Sequence, residues 1–257
     1  SAPLFKKVSQ KQVINNIIQE LEETLPKEVD YTQELENINH FQTLIDTNKY
    51  AIPKPYPEYS TKHILCMEFL EGKHIPEWLE TKPNQSQRNK VAQSLFEFKQ
   101  KSLLINKIIH ADPNFGNFLI LPDERIGIID FGCVRKIEPE FAENIPKILY
   151  AYTQEKWQEA WDTYTKLNMV EKKSTYPKEL EVFGEWIGRP YKHKTFDFKE
   201  NKLYSSESQA QFNTLNKFKQ IHPNYVFFTR LHLGIYQIAK KLDAKIAMQS
   251  FAMPWLE

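Results

Sequence analysis

The sequence is poor in glycine and cysteine, and both shortages restrict what the chain can be. Seven glycines occur in 257 residues. None of them forms a G-x-G-x-x-G pattern, so the usual glycine-rich phosphate-binding loop is absent from this chain. The two cysteines, Cys66 and Cys133, can build neither a disulfide framework nor a zinc site of common spacing. We therefore expect a reducing compartment and two cysteines that pack as small apolar residues.

Charge and hydropathy exclude further classes of protein. The chain has 34 Lys and Arg residues against 33 Asp and Glu, which leaves a net charge of +1. A nucleic-acid-binding domain is usually far more basic, so no nucleic-acid partner is expected. No apolar run approaches the length of a membrane span, and no signal peptide is visible. We expect a cytoplasmic protein, with peripheral attachment to a membrane as the alternative.

The most informative stretch is residues 108–136, IIHADPNFGNFLILPDERIGIIDFGCVRK. Two apolar runs flank turn-forming residues at 122–125, which predicts a β-hairpin. The hairpin would bring Asp112, Asn117 and Asp130 to one end. Two carboxylates and an amide oxygen form an oxygen-rich site of the kind that Mg²⁺ prefers.

The same residues have the spacing of the protein-kinase signature, a catalytic loop H-x-D-x-x-x-x-N followed by D-F-G. In that scheme Asp112 accepts the proton of the attacking hydroxyl, or orients it, and His110 braces the loop. Asn117 and Asp130 hold the Mg²⁺ ions that carry the ATP phosphates. Each short motif also occurs without function, so the prediction of an ATP and Mg²⁺ site depends on their order and spacing.

A helix is predicted upstream, over residues 32–45, with apolar residues at helical spacing on its inner face. It takes the place of the helix C of a kinase. Acidic residues around its start are candidates to face the active site and help bind the nucleotide: Glu28, Asp30 and Glu34. The alternative is that they only favour the positive end of the helix dipole.

Residues 63–70, HILCMEFL, predict a compact buried strand. In a kinase this strand leads into the hinge between the lobes. Met67 would then lie behind the adenine, and the backbone of Glu68 and Leu70 would bind the adenine edge. The alternative is an ordinary core strand with no ligand.

The remaining chain is predicted to be mostly helical after residue 137, with a loop-rich segment at 171–205. In the last helix, Arg230 and His232 are expected to be satisfied by neighbours rather than to act in catalysis. The sequence therefore predicts an α+β, protein-kinase-like fold. Its partial N-lobe would comprise residues 1–70, and its helical C-lobe, with the catalytic loop and the D-F-G hairpin, residues 71–257.

Three segments resemble the UbiB (AarF) family of atypical protein-kinase-like proteins, whose best-known members support ubiquinone biosynthesis. Residues 28–34 are similar to the family's E-x-D-y-x-x-E segment, residues 110–117 to its H-A-D-P-H-P-G-N loop, and residues 130–132 to its D-F-G. The resemblance implies an ATP- and Mg²⁺-dependent atypical kinase or ATPase linked to isoprenoid-quinone or lipid metabolism. It also implies a lipid or quinone-precursor ligand and a membrane-associated biosynthetic complex as partners.

The sequence departs from the family pattern at several points. Three features of the family are missing: the K-x-G-Q motif, the alanine-rich nucleotide loop, and the lysine that kinases carry on the third strand of the N-lobe (the β3 lysine of kinase nomenclature). We therefore interpret the chain as the later part of a family member or a shortened one. No A-P-E motif follows the D-F-G, which argues against a peptide substrate. Two alternatives stay open: a small-molecule phosphotransferase of the aminoglycoside or choline kinase type, and a pseudokinase that acts as an interaction module.

Overall fold

The computed structural model describes residues 30–172, 174–199 and 205–249. These residues form two compact units. The first consists of residues 30–136 and 227–244, and the second of residues 137–226 and 245–249. The lobe boundary predicted at residue 70 falls inside the first unit and stays a prediction. Glu28 lies outside the described residues.

The first unit combines helices with short strands. Its helices are α1 (Tyr31–Gln42), α2 (Ile75–Glu80) and α3 (Gln85–Leu104). Its strands are β1 (Tyr50–Ala51), β2 (Lys73–His74), β3 (Ile108–His110), β4 (Phe118–Ile120), β5 (Ile126–Ile128) and β6 (Val134–Lys136). One sheet has the order β1-β5-β4-β2, in which β1 and β5 are parallel and the other neighbours antiparallel. β3 and β6 form a separate antiparallel pair.

The predicted hairpin is confirmed in β4 and β5, which pair with Phe118 opposite Ile128. At its turn, the Leu121 N–H donates to the Arg125 carbonyl at 3.0 Å. Glu124 adopts a positive φ of 65° there. The residues of both strands are buried, because the two apolar runs line the interior on both faces. The pairing of β3 with β6 was not predicted, and it joins the two ends of the motif-bearing stretch.

The strand predicted over residues 63–70 is wrong. This segment forms only isolated bridges, Pro55 with Met67 and Thr61 with Ile64, and Phe69 is 86% exposed. The physical reason lies in the partner segment, where prolines at 53, 55 and 57 remove alternate N–H donors. A continuous ladder cannot form against such a neighbour, and Lys54 and Tyr56 supply the bonds that remain.

The helices of the first unit begin at recognisable caps. The Asp30 carboxylate accepts the N–H of Thr32 at 3.1 Å and caps α1, and Asn84 and Gln87 form a reciprocal capping box on α3. The buried face of α1 consists of Glu34, Ile38 and Phe41. This spacing of four and three residues places one carboxylate among apolar side chains.

The second unit is helical, as predicted, with α4 (Pro139–Thr153), α5 (Trp157–Lys166), α6 (Glu179–Gly188) and α7 (Ser205–Leu215). β7 (Phe196–Asp197) pairs with β8 (Lys245–Ile246). The loop-rich prediction for residues 171–205 is wrong over α6, which buries Leu180, Phe183 and Ile187. Gly184 allows the close packing, since a Cβ there would lie 2.8 Å from Cδ1 of Tyr152.

The helix α8 (Pro223–Lys241) contributes its residues from 227 onward to the first unit. In the ranges that the structure describes, no helix is both long and apolar enough to cross a membrane.

Candidate active site

The predicted catalytic loop is closed by its own side chains. Nδ2 of Asn117 donates to the Asp112 carbonyl at 3.1 Å and to Asp112 Oδ2 at 2.9 Å. A short 3₁₀ turn, Phe115–Asn117, brings the two residues together, and Asn114 caps it by accepting the Gly116 N–H at 2.9 Å. The five-residue spacing of the motif therefore corresponds to one compact turn that fixes both side chains.

The D-F-G segment is held beside this loop. The Ile129 N–H donates to the Asn117 carbonyl at 3.2 Å, so Asp130 follows one residue after a direct contact with the loop. The Gly132 N–H donates to Asp130 Oδ1 at 2.9 Å. This bond orients the carboxylate of Asp130 and leaves its second oxygen, Oδ2, as the atom that can bind a cation.

His110 connects the loop to the D-F-G segment from inside the core. Its Nε2 donates to the Asp130 carbonyl at 2.5 Å, and its ring packs edge-on against Phe131 with centroids 5.6 Å apart. Burial lowers the pKa of His110, although the charges of Asp130 and Asp112 act in the opposite direction. A neutral imidazole that donates through Nε2 fits these surroundings and holds the Asp130 backbone in place.

Helix α1 contacts the same segment through two polar side chains. Glu34 Oε1 accepts the Phe131 N–H at 2.9 Å, and Asn37 Nδ2 donates to the Phe131 carbonyl at 2.9 Å. Burial raises the pKa of Glu34, and the nearby charge of Asp130 raises it further. Asn37 was missed by the sequence analysis, although it lies three residues after Glu34 and so on the same side of the helix.

The other predicted acidic residue of this segment is placed differently. The Asp30 carboxylate accepts the Thr32 hydroxyl and N–H, and these hydrogen bonds lower its pKa. Of the two acidic candidates within the described residues, Glu34 contacts the D-F-G backbone and Asp30 caps the helix.

The three predicted hinge residues, Met67, Glu68 and Leu70, lie on a segment that runs beside residues 54–56. The Glu68 N–H donates to the Lys54 carbonyl at 2.8 Å, and Met67 bridges to Pro55. Leu70 and Ile129 both pack against an apolar cluster composed of Ala51, Leu119 and Leu121. Because Ile129 directly precedes Asp130, the residues around this cluster extend to the acidic site.

One charged residue was not predicted to belong to the site. Nη2 of Arg230, on α8, donates to Asp112 Oδ1 at 2.6 Å. The Arg230 side chain is 52% exposed and that of Asp112 25%. The two residues are 118 positions apart in the chain, so no local pattern could have indicated the contact.

The donor set fits a magnesium ion better than a transition metal. Within the described ranges no three His, Cys, Asp or Glu side chains form a metal-binding cluster. Mg²⁺ needs no such cluster, since it commonly takes one or two carboxylates and completes its shell with waters and phosphates. Asp130 Oδ2 and Asn117 Oδ1 are the atoms that would bind it, because Nδ2 of Asn117 is used for Asp112.

A cavity in the first unit lies away from these residues. Its volume is about 480 Å³, and it opens near the turn end of the hairpin, where its lining includes Trp78, Lys90, Leu121 and Pro122. Its lining includes neither Asp112, Asn117 nor Asp130. The chemistry-bearing side chains and this cavity are therefore separate features of the unit.

Comparison with known proteins identifies relatives of this chain by sequence. Residues 2–163 match the ABC1 atypical kinase-like domain. The atypical kinase COQ8, mitochondrial, of Saccharomyces cerevisiae is 27% identical over 180 residues, which cover 67% of this chain and 36% of that protein. AarF domain-containing protein kinase 1 of Xenopus laevis is 31% identical over 105 residues, 40% of this chain and 20% of that protein.

A solved structure shares the fold. The Rv3197–erythromycin complex from Mycobacterium tuberculosis aligns with a TM-score of 0.76 and 18% identity, over 95% of this chain and 63% of that one. The chain spans less than half the length of the curated relatives that it matches. The α+β, kinase-like fold expected from the sequence is confirmed.

Proposed function

Because the chain belongs to the ABC1 atypical kinase-like family, we propose that it binds ATP as its magnesium complex and serves phosphoryl transfer or ATP hydrolysis. The observation that carries the proposal is the joint fixing of Asp112 and Asp130. Asp112 is held by Asn117, and the Asp130 backbone is held by His110. Phosphoryl transfer depends mainly on positioning and on charge, and fixed oxygen ligands provide both.

The roles of the side chains follow from their contacts. Asn117 and Asp130 would hold Mg²⁺, and the ion would neutralise phosphate charge when bound. Asp112 would orient the attacking hydroxyl or water through its carboxylate. Glu34 accepts the N–H of Phe131, and Asn37 donates to its carbonyl. These two side chains would keep the neighbouring Asp130 in place without touching the ligand themselves.

The adenine is proposed to lie against Leu70 and Ile129, beside the hinge segment. Both side chains are only partly buried where they pack on the apolar cluster, and Ile129 directly precedes Asp130. In the part of the chain that the structure describes, the Glu68 carbonyl and the Leu70 N–H make no hydrogen bond, so both are available for the base edge. We further propose that a lobe boundary near residue 70 coincides with this segment.

The acceptor is proposed to be small or lipid-linked rather than a peptide. No A-P-E motif follows the D-F-G, and the resemblance to UbiB proteins supports a role linked to isoprenoid-quinone or lipid metabolism. A peripheral place in a membrane-associated complex is part of the same proposal. The pseudokinase alternative, in which the site holds the nucleotide without transferring a phosphoryl group, is a separate outcome of the test below.

A thermal-denaturation titration tests the proposal. Ligand linkage predicts that ATP with Mg²⁺ stabilises the chain by about 2.7 kcal/mol at a hundredfold excess over the dissociation constant. ATP without a divalent cation should stabilise it less. Stabilisation without phosphate release would support the pseudokinase alternative, and absence of any stabilisation would refute nucleotide binding by this chain.

A further inference from the structure

The predicted catalytic loop contains no positive charge of its own. Residues 108–117 include no lysine and no arginine, and the loop carries the carboxylate of Asp112 with the D-F-G segment and its Asp130 held beside it. Phosphoryl groups carry negative charge that a transfer site has to balance, partly with metal ions and partly with cationic side chains. Among the residues that the structure describes, Arg230 of helix α8 brings a positive charge into contact with Asp112.

Arg230 is placed for more than an ion pair. Its Nη2 meets Asp112 Oδ1 at 2.6 Å, while Asn117 contacts the other oxygen of the same carboxylate. A pair this exposed contributes only about 0.2–1 kcal/mol to stability, so the loss of Arg230 should leave the fold intact. The guanidinium has further N–H donors besides the one that meets Asp112. Because the Arg230 side chain is half exposed, these donors can bind an anion that enters from solvent.

The position of Arg230 is fixed by the packing of α8. Gly234 lies one turn further along the helix, and a Cβ there would be 2.0 Å from Cγ of Pro113, the residue after Asp112. The helix backbone therefore approaches the loop as closely as glycine permits. On α8 as well, the buried His232 accepts a hydrogen bond from Lys99 of α3 at 2.9 Å, which holds the helix in register.

We propose that Arg230 binds the terminal phosphate of the nucleotide, an assignment that rests on the proposed function. A guanidinium matches the geometry of phosphate oxygens and stays charged at any physiological pH. Held on Asp112, it lies where an acceptor hydroxyl and the γ-phosphate would meet. Arg230 is then a phosphate-binding residue supplied from outside the catalytic loop, and it distinguishes ATP from ADP.

The test compares the affinities of the full chain for Mg²⁺-ATP and Mg²⁺-ADP by calorimetric titration. The variants are Arg230→Met, Arg230→Lys and a control, Lys240→Met, which removes an equal charge from an exposed position of the same helix. Arg230→Met should bind Mg²⁺-ATP about tenfold more weakly and Mg²⁺-ADP unchanged. Arg230→Lys should recover part of the loss, and Lys240→Met should match the wild type.

Three results would overturn the assignment. A wild type that binds both nucleotides equally has no contact with the γ-phosphate. An Arg230→Met variant with the wild-type ratio of affinities, or with both affinities reduced by the same factor, would show that the residue acts only on structure. A wild type that binds neither nucleotide refutes the proposed function before any variant is made, and the assignment of Arg230 fails with it.

Discussion

The carboxylate of Glu34 accepts the backbone N–H of Phe131 at 2.9 Å, across 97 residues of sequence. This bond attaches helix α1 to the residue that follows Asp130. Glu34 is 8% exposed, and its hydrogen bond to a backbone donor compensates part of the cost of burying a carboxylate. The position of Asp130 therefore depends on a helix that begins 99 residues earlier.

Glu34→Gln should change how stability depends on pH. Burial raises the pKa of Glu34 above its ordinary value of 4.5, so the folded chain binds this proton more tightly than the unfolded chain does. This contribution to the free energy of unfolding is present below pH 4.5 and is lost as the pH rises through the raised pKa. Glutamine keeps the acceptor oxygen and cannot ionise.

Urea denaturation at a series of pH values checks this prediction. The stability of Glu34→Gln relative to the wild type should increase as the pH rises from about 4 towards neutrality. Glu36→Gln, an exposed position on the same helix, should show no such trend. A difference between Glu34→Gln and wild type that stays constant with pH would contradict the account.

Lys99→Met should remove a second pH dependence, of opposite sign. Lys99 is buried, and burial lowers its pKa to about 7. Between about pH 7 and 10.5 the unfolded chain therefore holds more protons, and the free energy of unfolding of the wild type should rise over this range. The variant should be flatter, because methionine has a similar volume and no charge.

Thermal denaturation at about pH 7, 8 and 9, in the lower part of this window, measures the slope. Lys101→Met, at an exposed position of the same helix, serves as the control and should keep the wild-type slope. Equal slopes in wild type and Lys99→Met would mean that Lys99 does not titrate in this range.

Gly234→Ala should disturb the contact between α8 and the catalytic loop. The added Cβ would lie 2.0 Å from Cγ of Pro113, so the helix or the loop has to move. Overpacking of this kind typically costs about 1–3 kcal/mol. Pro113→Ala removes the opposing ring, so the double variant should be less destabilised than the sum of the two single variants. Additive losses, measured by chemical denaturation, would contradict a direct clash.

Asp112→Asn should separate binding from turnover. The side chain keeps its size, so Mg²⁺-ATP should bind with nearly the wild-type affinity. Phosphate release from ATP should fall by about 10²–10⁴-fold, the usual contribution of a positioned acid–base group. Equal rates in variant and wild type would exclude Asp112 as the base. A wild type without phosphate release would instead favour the pseudokinase alternative.

The hairpin and its motif were predictable because their signals are local. Two apolar runs and a polar turn define β4 and β5, and the loop spacing fixes the contact between Asn117 and Asp112. The kinase-like fold followed from the order of these motifs. The strand prediction for residues 63–70 failed because it considered only the apolar character of that segment. Whether a strand forms also depends on its partner, which here carries prolines at 53, 55 and 57.

The remaining features of the site depend on contacts between distant residues. Arg230 reaches Asp112 from another helix, and Gly234 permits the approach. Asn37 reads as an ordinary polar residue until Phe131 is placed beside it. Helix α6 was hidden by its charged flanks, although Leu180, Phe183 and Ile187 have helical spacing. Tertiary packing decided each case, and single-sequence patterns do not contain it.

The most direct test of the central claim is a calorimetric titration of Mg²⁺-ATP into the wild type and into Asp130→Asn. Asp123→Asn, in the exposed turn of the same hairpin, is the matched control. We predict that wild type and Asp123→Asn bind equally, while Asp130→Asn loses binding that depends on Mg²⁺ and keeps its fold by circular dichroism. Binding of Mg²⁺-ATP by Asp130→Asn with wild-type affinity would contradict the account.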